Sequence, residues 1–185
     1  MGTTFLDHVS VFVSTFKKYN EGNNLEKGEW VNLGDFDDYG EFFEYCKKNI
    51  FSDETDPEID IEDYDIDLSG VSTDFLKNAD IEDLWVLKEV DEYDAAPFAA
   101  YLDLFGFSKS LEKTVEDFQD RYEGKYEDDS DMAYEIAVGI GIVAEAERIG
   151  IGSYLTLADF IDWNAFSKFL MDDYVSKNGY YFRNY

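Results

Sequence analysis

The chain has 185 residues, of which 43 are acidic and 15 are basic, so that its formal net charge is −28. Apolar residues make up 45% of it and aromatic residues 18%, a composition that supports a folded core and excludes wholesale disorder. Because DNA binding requires lysine and arginine to replace the counterions of phosphates, the charge also excludes nucleic acid as a partner. Two explanations stay open, namely a surface adapted to high salt and a surface that binds a basic partner.

Signals of catalysis and of targeting are sparse. The single cysteine, Cys46, excludes an intrachain disulfide and a cysteine-based zinc site, and His8 is the only histidine. We therefore predict that the protein is not an enzyme and uses no metal and no cofactor. No apolar run approaches the length that spans a membrane and the N-terminus lacks the features of a signal peptide, so we expect a cytoplasmic protein.

The first 50 residues predict two strands and a helix. Residues 8–16 and 29–33 are rich in β-branched and aromatic side chains, which favour strands. We expect these strands to pair antiparallel across a polar loop at residues 19–28. Residues 35–49 place aromatic side chains at helical spacing, so a helix is predicted there.

The segment of residues 53–67 holds nine acids and no base. Acidic and apolar residues alternate along it, and the phase of the alternation slips by one residue at Glu62 and Asp63. Since the side chains of a strand point alternately to its two faces, the pattern predicts a strand with an apolar inner face and an acidic outer face. The slip predicts a β-bulge, in which one extra residue restores the pattern.

From residue 71 the spacing of apolar residues becomes helical. Four short helices are predicted, at residues 72–79, 80–90, 93–105 and 110–118. Ser72 and Asp80 are suited to begin the first two as N-caps, and Gly106 is suited to end the third.

After residue 121 strands and helices are mixed. The pattern predicts a strand at residues 122–126, a long helix at 130–149, one or two helices within 157–171, and a hairpin of strands at 173–177 and 180–183. Ser130 or Asp129 is expected to cap the long helix. Asn178 and Gly179 separate the two strands of the hairpin, and this dipeptide favours the tight turn in which both residues have positive φ.

These elements indicate an α+β fold made of three small domains. Residues 1–71 are predicted to form an antiparallel sheet with a helix, residues 72–118 a helical bundle, and residues 119–185 helices with a small antiparallel sheet. The three segments carry net charges of −13, −8 and −7. The acid is therefore part of the folded body and is not confined to a tail.

Two motifs point to other functions but fit them poorly. Asp63, Asp65 and Asp67 have the spacing of a calcium-binding loop, yet Leu68 stands where such a loop needs glycine. Residues 139–144 match a dinucleotide-binding pattern, but the residues before them predict a helix where the pattern needs a strand. The first motif is better interpreted as an acidic strand face and the second as close helix packing. A calcium-binding or enzymatic protein remains a hypothesis beside the two functions given below.

Several stretches, taken in their order along the chain, resemble the ArdA family of antirestriction proteins. They are YNEG and GEW at residues 19–22 and 28–30, IEDYD at 61–65, F, YxGxY and A at 118, 122–126 and 133, FIDWNAF and L at 160–166 and 170, and NGYYF at 178–182. The resemblance implies an elongated, curved monomer of three small domains and a homodimer joined through the C-terminal domains. It also implies binding to the methyltransferase core of type I restriction-modification enzymes. Family members protect incoming mobile DNA by this binding.

From the charge and the resemblance we predict that surface acids stand in for the phosphates of DNA. The predicted partner-binding residues are Asp37, Asp38, Glu41, Asp56, Glu58, Asp60, Glu62, Asp63, Asp65, Asp67, Glu82, Asp83, Asp91 and Glu92. A dimer edge is predicted at Tyr122, Gly124 and Tyr126. The alternative is an acidic interaction protein that antagonises another DNA-binding protein, such as a histone-like protein or a repressor.

Overall fold

The computed structural model describes residues 3–22, 24–68 and 71–185, apart from the side chains of residues 24, 26 and 92. The chain divides into two compact units, a first unit of Met1–Phe118 and a second unit of Gln119–Tyr185. Both contain helices and a small antiparallel sheet, so the predicted α+β class is confirmed. The organisation into three domains stays a prediction.

A three-stranded antiparallel sheet forms the N-terminal part of the first unit. Its central strand is β1 (Val9–Thr15), which pairs with β2 (Glu29–Asn32) on one side and with β3 (Ile59–Ile66) on the other. Three valines at alternate positions of β1 are buried and form the inner face of the sheet. The two predicted N-terminal strands and their antiparallel pairing are confirmed.

The pairing of β1 with β3 shifts its register at one residue. Phe12 faces Asp63 and Val13 faces Ile61, so Glu62 is the extra residue between them. The β-bulge predicted at this position is therefore confirmed. Because the bulge absorbs one residue, the aspartates before and after it stay on the same outer face of the sheet.

Short helices connect the first two strands. α1 (Phe16–Asn20) follows β1 directly, and α2 (Asn24–Lys27) precedes β2. The loop predicted over residues 19–28 is therefore wrong in part. Thr15 ends β1 and begins α1, because its hydroxyl oxygen accepts a hydrogen bond from the backbone N–H of Lys18 at 3.2 Å.

The helix predicted over residues 35–49 begins later than expected. α3 (Tyr39–Tyr45) starts after Asp38, whose carboxylate accepts a hydrogen bond from the backbone N–H of Glu41 at 2.9 Å. The chain then continues into one π-helical turn, Cys46–Ile50. Because an N-cap residue has a non-helical backbone conformation, Asp38 decides where the helix starts.

Residues 72–94 form turns of 3-10 helix where α-helices were predicted. These turns are Leu76–Asn78, Ile81–Glu89 and Glu92–Asp94. The buried side chains of Leu84, Leu87 and Val90 recur at every third residue, which matches the three residues per turn of a 3-10 helix. Burial of this stripe therefore favours the tighter helix over the α-helix.

Two α-helices complete the first unit. They are α4 (Ala95–Phe105) and α5 (Leu111–Arg121), which leads into the second unit. α4 ends at Gly106, where φ is 77°, a value that glycine adopts at little cost. The predicted end of this helix is therefore confirmed.

A cluster of aromatic rings fills the core between these helices and the start of the chain. The fully buried ring of Phe98, on α4, is its centre. The centroid of this ring lies 5.2–5.9 Å from the centroids of Phe5, Phe75 and Phe118. Such contacts between buried rings add to the free energy gained from burying their area.

The second unit opens with β4 (Tyr122–Lys125), as predicted. The single helix predicted over residues 130–149 is wrong, because two helices, α6 (Asp129–Gly139) and α7 (Ile142–Glu147), occupy this range. Gly141 separates them with a φ of 84°, in the left-handed region. An α-helix cannot continue through that conformation, and only glycine adopts it readily.

The cap of α6 also differs from the prediction. Asp128 caps the helix, and neither Ser130 nor Asp129 does. The Asp128 carboxylate accepts hydrogen bonds from the backbone N–H groups of Ser130 and Asp131 at 2.8 and 2.9 Å. One side chain thus satisfies two of the N–H groups that a helix start leaves without partners.

A small hairpin and further helical turns follow α7. β5 (Gly150–Ile151) and β6 (Leu155–Thr156) pair antiparallel. A 3-10 turn, Leu157–Phe160, and the helix α8 (Trp163–Leu170) come next. The one or two helices predicted within residues 157–171 are therefore confirmed.

A three-stranded antiparallel sheet closes the second unit. β7 (Tyr174–Lys177) and β8 (Tyr180–Arg183) form a hairpin, and β8 also pairs with β4. Asn178 and Gly179 make the turn with φ values of 55° and 81°, so the predicted hairpin is confirmed. Across the described part of the chain, no helix combines the length and the apolar character needed to cross a bilayer.

Candidate functional site

A row of aspartates lies on the outer face of the first unit's sheet. We call Asp60, Asp63 and Asp65 of β3 the β3 row. Asp63 and Asp65 are exposed, whereas Asp60 and the bulge residue Glu62 are half-buried. Since alternate residues of a strand lie about 6.6 Å apart, the sheet holds these carboxylates at regular intervals.

The strand is shorter than the acidic segment that predicted it. β3 begins at Ile59. The exposed residues Asp56 and Glu58 therefore lie in the segment just before the strand, which we call the approach to β3, and Asp67 follows the end of the strand. The strand predicted from residue 53 is therefore wrong over its first six residues. Pro57 lies in this approach, and proline has no N–H to donate to a sheet.

A buried ion pair anchors the approach to β3. The ammonium of Lys18 lies 2.8 Å from the carboxylate of Glu54 and 3.4 Å from that of Asp53. The side chains of Lys18 and Glu54 are only 5% and 6% exposed. The pair therefore ties α1 to the loop that leads into the acidic strand, a contact that sequence reasoning missed.

The surroundings of this pair keep both of its members charged. Burial alone would raise the pKa of the Glu54 carboxyl, but the hydrogen bonds from Lys18 and Thr15 hold this pKa below its ordinary value. Burial alone would lower the pKa of the Lys18 ammonium. Its hydrogen bond to Glu54 and the charge of Glu54 oppose this effect, and the hydrogen bond and charge of Asp53 add a smaller contribution. Together they hold the pKa of Lys18 above its ordinary value.

The three acids predicted at the start of α3 are exposed, and each has a structural partner. Asp38 caps the helix. Oε2 of Glu41 accepts a hydrogen bond from the backbone N–H of Asp37 at 2.8 Å, and the Asp37 carboxylate lies 3.7 Å from the ammonium of Lys88. Hydrogen bonds to backbone N–H groups therefore hold the carboxylates of Asp38 and Glu41, whereas the Asp37 carboxylate is fully exposed beside Lys88.

A second group of predicted acids lies in the 3-10 segment. Glu82, Asp83 and Asp91 are exposed, and the side chain of Glu92 lies outside the described residues. Burial and, after it, the charge of Glu82 raise the pKa of Tyr39, the first residue of α3. The 3-10 segment that carries Glu82 and Asp83 contacts α3, whereas the β3 row belongs to the sheet.

Basic residues are held in ion pairs with neighbouring acids. Those with a carboxylate within 3.7 Å include Lys18, Lys47, Lys48, Lys77, Lys88, Lys113, Arg148 and Arg183. Several of these pairs have helical i,i+3 or i,i+4 spacing, which is a signal that the sequence contains. The bases named here are eight of the 15 basic residues, and the chain has 43 acids, so most acids have no basic residue to pair with.

The predicted dimer residues lie on or next to β4, at one edge of the second unit's sheet. Tyr122, Gly124 and Tyr126 are half-buried. The φ of Gly124 is 136°, and a Cβ at this position would meet the hydroxyl oxygen of Tyr126 at 3.2 Å, so glycine is strongly favoured. These residues shape the sheet edge, and their role in a dimer stays a prediction.

The two alternative motifs lack the structural context that their functions require. Asp63 and Asp65 lie within β3, so their spacing is that of alternate strand residues. Residues 139–144 join helix to helix and do not follow a strand.

Burial raises the pKa of the Cys46 thiol to about 12, which suppresses the reactive thiolate. Among the side chains that the structure describes, no group of three or more metal-binding residues is present.

Fold and surface together define a class of protein. It is an acidic α+β protein in which at least eight of the 15 basic residues lie in ion pairs and in which exposed carboxylates lie on a sheet and at a helix start. Such a surface suits the binding of a basic partner better than it suits covalent chemistry.

The family follows from comparison with known proteins. The sequence profile of the antirestriction protein (ArdA) family matches residues 11–182, which is nearly the whole chain. The chain therefore belongs to the ArdA family, as the resemblance of its motifs indicated. No curated protein matches the chain. The protein is an antirestriction protein, and its family targets restriction-modification enzymes and is not a family of known enzymes.

Proposed function

We propose that this protein is a DNA mimic that occupies the DNA-binding groove of a type I restriction-modification enzyme. In this mechanism it contacts the methyltransferase core and blocks the binding of DNA, without covalent chemistry and without a cofactor. The observation that carries the proposal is the β3 row, a regular series of carboxylates on a sheet. The ion pairs described above, such as that of Lys18 with Glu54, involve acids outside this row. Because the DNA to be protected is inside the cell, we propose that the protein acts in the cytoplasm.

The amount of charge fits a substitute for DNA. Duplex DNA carries one charge per about 1.7 Å of its axis, so 28 charges correspond to roughly 48 Å of duplex. A groove that binds DNA holds lysine and arginine side chains that pair with phosphates. Carboxylates in fixed positions can pair with the same side chains, and they need no base sequence to do so.

The predicted acids are not expected to contribute equally. Asp37 and Asp56 already lie 3.7 and 3.6 Å from lysine ammonium groups of the same chain, so part of the charge of each is neutralised before a partner binds. Asp63 and Asp65 are exposed and lie on a paired strand. We therefore propose that the β3 row contributes more to binding than the paired acids do.

Competition with DNA tests this function directly. Duplex DNA and the protein are expected to exclude each other from a type I methyltransferase, and the affinity of the protein is expected to fall steeply as salt is raised. The measurement is the displacement of fluorescent duplex DNA by the purified protein at two or more salt concentrations. No displacement at low salt contradicts the proposal. Binding to a histone-like protein or a repressor, without binding to the methyltransferase, supports the alternative function.

We also propose that the protein is a homodimer joined through the second unit. Residues 136–144 and 149–158 contain no charged residue, in a chain with 43 acids. Apolar side chains from these runs, including Ile140, Ile149 and Leu157, are exposed around a shallow cavity of about 320 Å³. We call this surface the apolar face. Because two copies of charge −28 repel each other, they associate best where acids are sparse and apolar area is large.

The oligomeric state tests the apolar face against the predicted β4 edge. Ile140→Asp with Leu157→Asp is expected to convert a dimer into a monomer, because each substitution places a carboxylate in an apolar contact. Sedimentation velocity measures the change, and Leu25→Asp, at an exposed apolar residue of the first unit, is the matched control. Dissociation by Tyr122→Asp alone supports the β4 edge instead, and a monomeric wild-type protein at high concentration contradicts the dimer.

A further inference from the structure

A pocket lies between β2 and the start of α3 in the first unit. Its volume is about 380 Å³, and its walls combine aromatic rings with carboxylates. The rings are those of Trp30, Phe36 and Tyr45, and the carboxylates are those of Asp35 and Glu41. We call it the β2–α3 pocket. Of these residues only Glu41 was predicted from the sequence to bind the partner.

Packing fixes the two exposed rings of the β2–α3 pocket. The ring of Trp30 lies edge-on to that of Phe12, with centroids 5.5 Å apart, and Trp30 is nevertheless 48% exposed. The ring of Tyr45 lies 5.1 Å from that of the buried Phe36. Both rings are therefore held in place while part of each faces solvent.

One hydrogen bond fixes the carboxylate of Glu41, and another fixes the backbone turn that carries Asp35. Oε2 of Glu41 accepts the backbone N–H of Asp37 at 2.8 Å, and a carboxylate has further acceptor capacity on its second oxygen. Asp35 ends a 3-10 turn that the side chain of Asn32 holds by accepting the N–H of Gly34 at 2.8 Å. The residues that line the pocket include these two acids and no lysine or arginine.

We propose that the β2–α3 pocket receives a guanidinium group, the end of an arginine side chain of the basic partner. A guanidinium is planar, stacks on aromatic rings and offers paired N–H donors to carboxylates, and it is less strongly hydrated than an ammonium. The pocket supplies both kinds of contact, and its charge is complementary to that of the ligand. The inference rests on the proposed function, since it names one chemical group that the enzyme's groove supplies.

The pocket is tested with two probe peptides and without the enzyme. One peptide carries three arginines and the other carries three lysines in the same neutral glycine and serine background. Titration of the full-length protein, followed by NMR at about 0.15 M salt, is expected to show two- to fivefold tighter binding of the arginine peptide, the range that an exposed cation–π contact supplies (about 0.5–1 kcal/mol). The largest shifts are expected at the Trp30 indole N–H.

Variants of the pocket are expected to remove the preference. Trp30→Ala should bring the ratio of the two affinities to about one, and so should Glu41→Gln with Asp35→Asn. Glutamine can still accept the N–H of Asp37, so the second variant keeps the start of α3 folded even if Trp30→Ala unfolds the sheet. The controls are Tyr93→Ala, at a ring that is 84% exposed in the same unit, and Glu112→Gln, at an exposed acid of that unit outside the predicted binding set. Both controls should leave the ratio unchanged.

Each outcome separates this inference from the proposed function. Equal binding of the two peptides by the wild-type protein, or a preference that survives in both pocket variants, overturns the pocket and leaves DNA mimicry standing. A preference for arginine that depends on Trp30, in a protein that fails to displace DNA from the methyltransferase, supports the pocket and contradicts the mimicry. Shifts centred away from the pocket also overturn the inference.

Discussion

Replacing the β3 row with asparagine, by Asp60→Asn, Asp63→Asn and Asp65→Asn together, is expected to weaken binding to a type I methyltransferase about tenfold at low salt. Each single replacement is expected to have a small effect, because an exposed ion pair contributes little by itself. The three together remove a contiguous group of charges. The dependence of the affinity on salt should also become shallower, since each ionic contact contributes about 0.9 to the slope in DNA complexes.

The matched control keeps the change in charge and moves it elsewhere. Glu112→Gln, Glu147→Gln and Asp172→Asn together remove three exposed acids that lie outside the predicted binding set. The affinity of each protein is measured by displacement of labelled DNA, and thermal unfolding checks that both variants are folded. Equal losses in the two triple variants contradict a special role of the β3 row, because only total charge then matters.

Lys18→Met is expected to lower the free energy of unfolding by about 3 kcal/mol, near the lower end of the range for breaking a buried ion pair. The substitution leaves Glu54 buried without its ammonium partner, although the exposed Asp53 beside it eases access of water. The loop before β3 loses its anchor to α1. Chemical denaturation at neutral pH measures the loss.

The pH dependence of this variant follows from the direction of the pKa shifts. In the wild-type protein the pKa of Glu54 is held below its ordinary 4.5, so the pair stabilises the fold above this pH and loses its effect as pH falls through the lowered pKa. The pKa of Lys18 is held above its ordinary 10.5, so its contribution is complete below 10.5 and is lost as pH rises through the raised pKa. Without the lysine, burial raises the pKa of Glu54, and the variant gains relative stability as the carboxyl is protonated. As pH falls, the gap between the two free energies of unfolding should therefore narrow first as pH passes through the raised pKa of Glu54 in the variant, which lies above 4.5, and then again between 4.5 and the lowered pKa of Glu54 in the wild-type protein.

A second substitution provides the control for the ion pair. Lys18→Met with Glu54→Gln removes both charges, and it is expected to recover much of the lost stability because no buried charge is left alone. Lys77→Met, at an exposed pair with Asp74, should change stability little. A loss in the double variant as large as that in Lys18→Met would contradict a cost that comes from leaving Glu54 unpaired, and it would point to the contact of the Lys18 ammonium with the Phe51 ring, which both variants lose.

Local patterns predicted the elements that depend on neighbouring residues. The alternation along β3 predicted its two faces, and the slip at Glu62 predicted the bulge. The Asn178-Gly179 turn was predicted for the same reason, since the requirement for positive φ lies in those two residues. Helix starts were predicted less well, because several acids compete as caps and the backbone decides between them, as at Asp128.

Longer segments were predicted less well where tertiary packing chose between similar conformations. Residues 81–89 have helix-forming composition, but burial of Leu84 and Leu87 against the core accompanies a 3-10 helix. The break at Gly141 was missed because an isolated glycine is tolerated within a helical pattern and does not by itself mark the end of a helix.

By itself the sequence determined the sign and size of the charge, the absence of a second histidine or cysteine, the acidic strand with its bulge and the terminal hairpin. These properties depend on composition or on contacts between residues that are adjacent in the chain. Only the tertiary structure decided that Lys18 meets Glu54 and that Trp30, Asp35, Glu41 and Tyr45 surround one pocket. Contacts of that kind join residues from separate elements, and their geometry depends on how the whole unit packs.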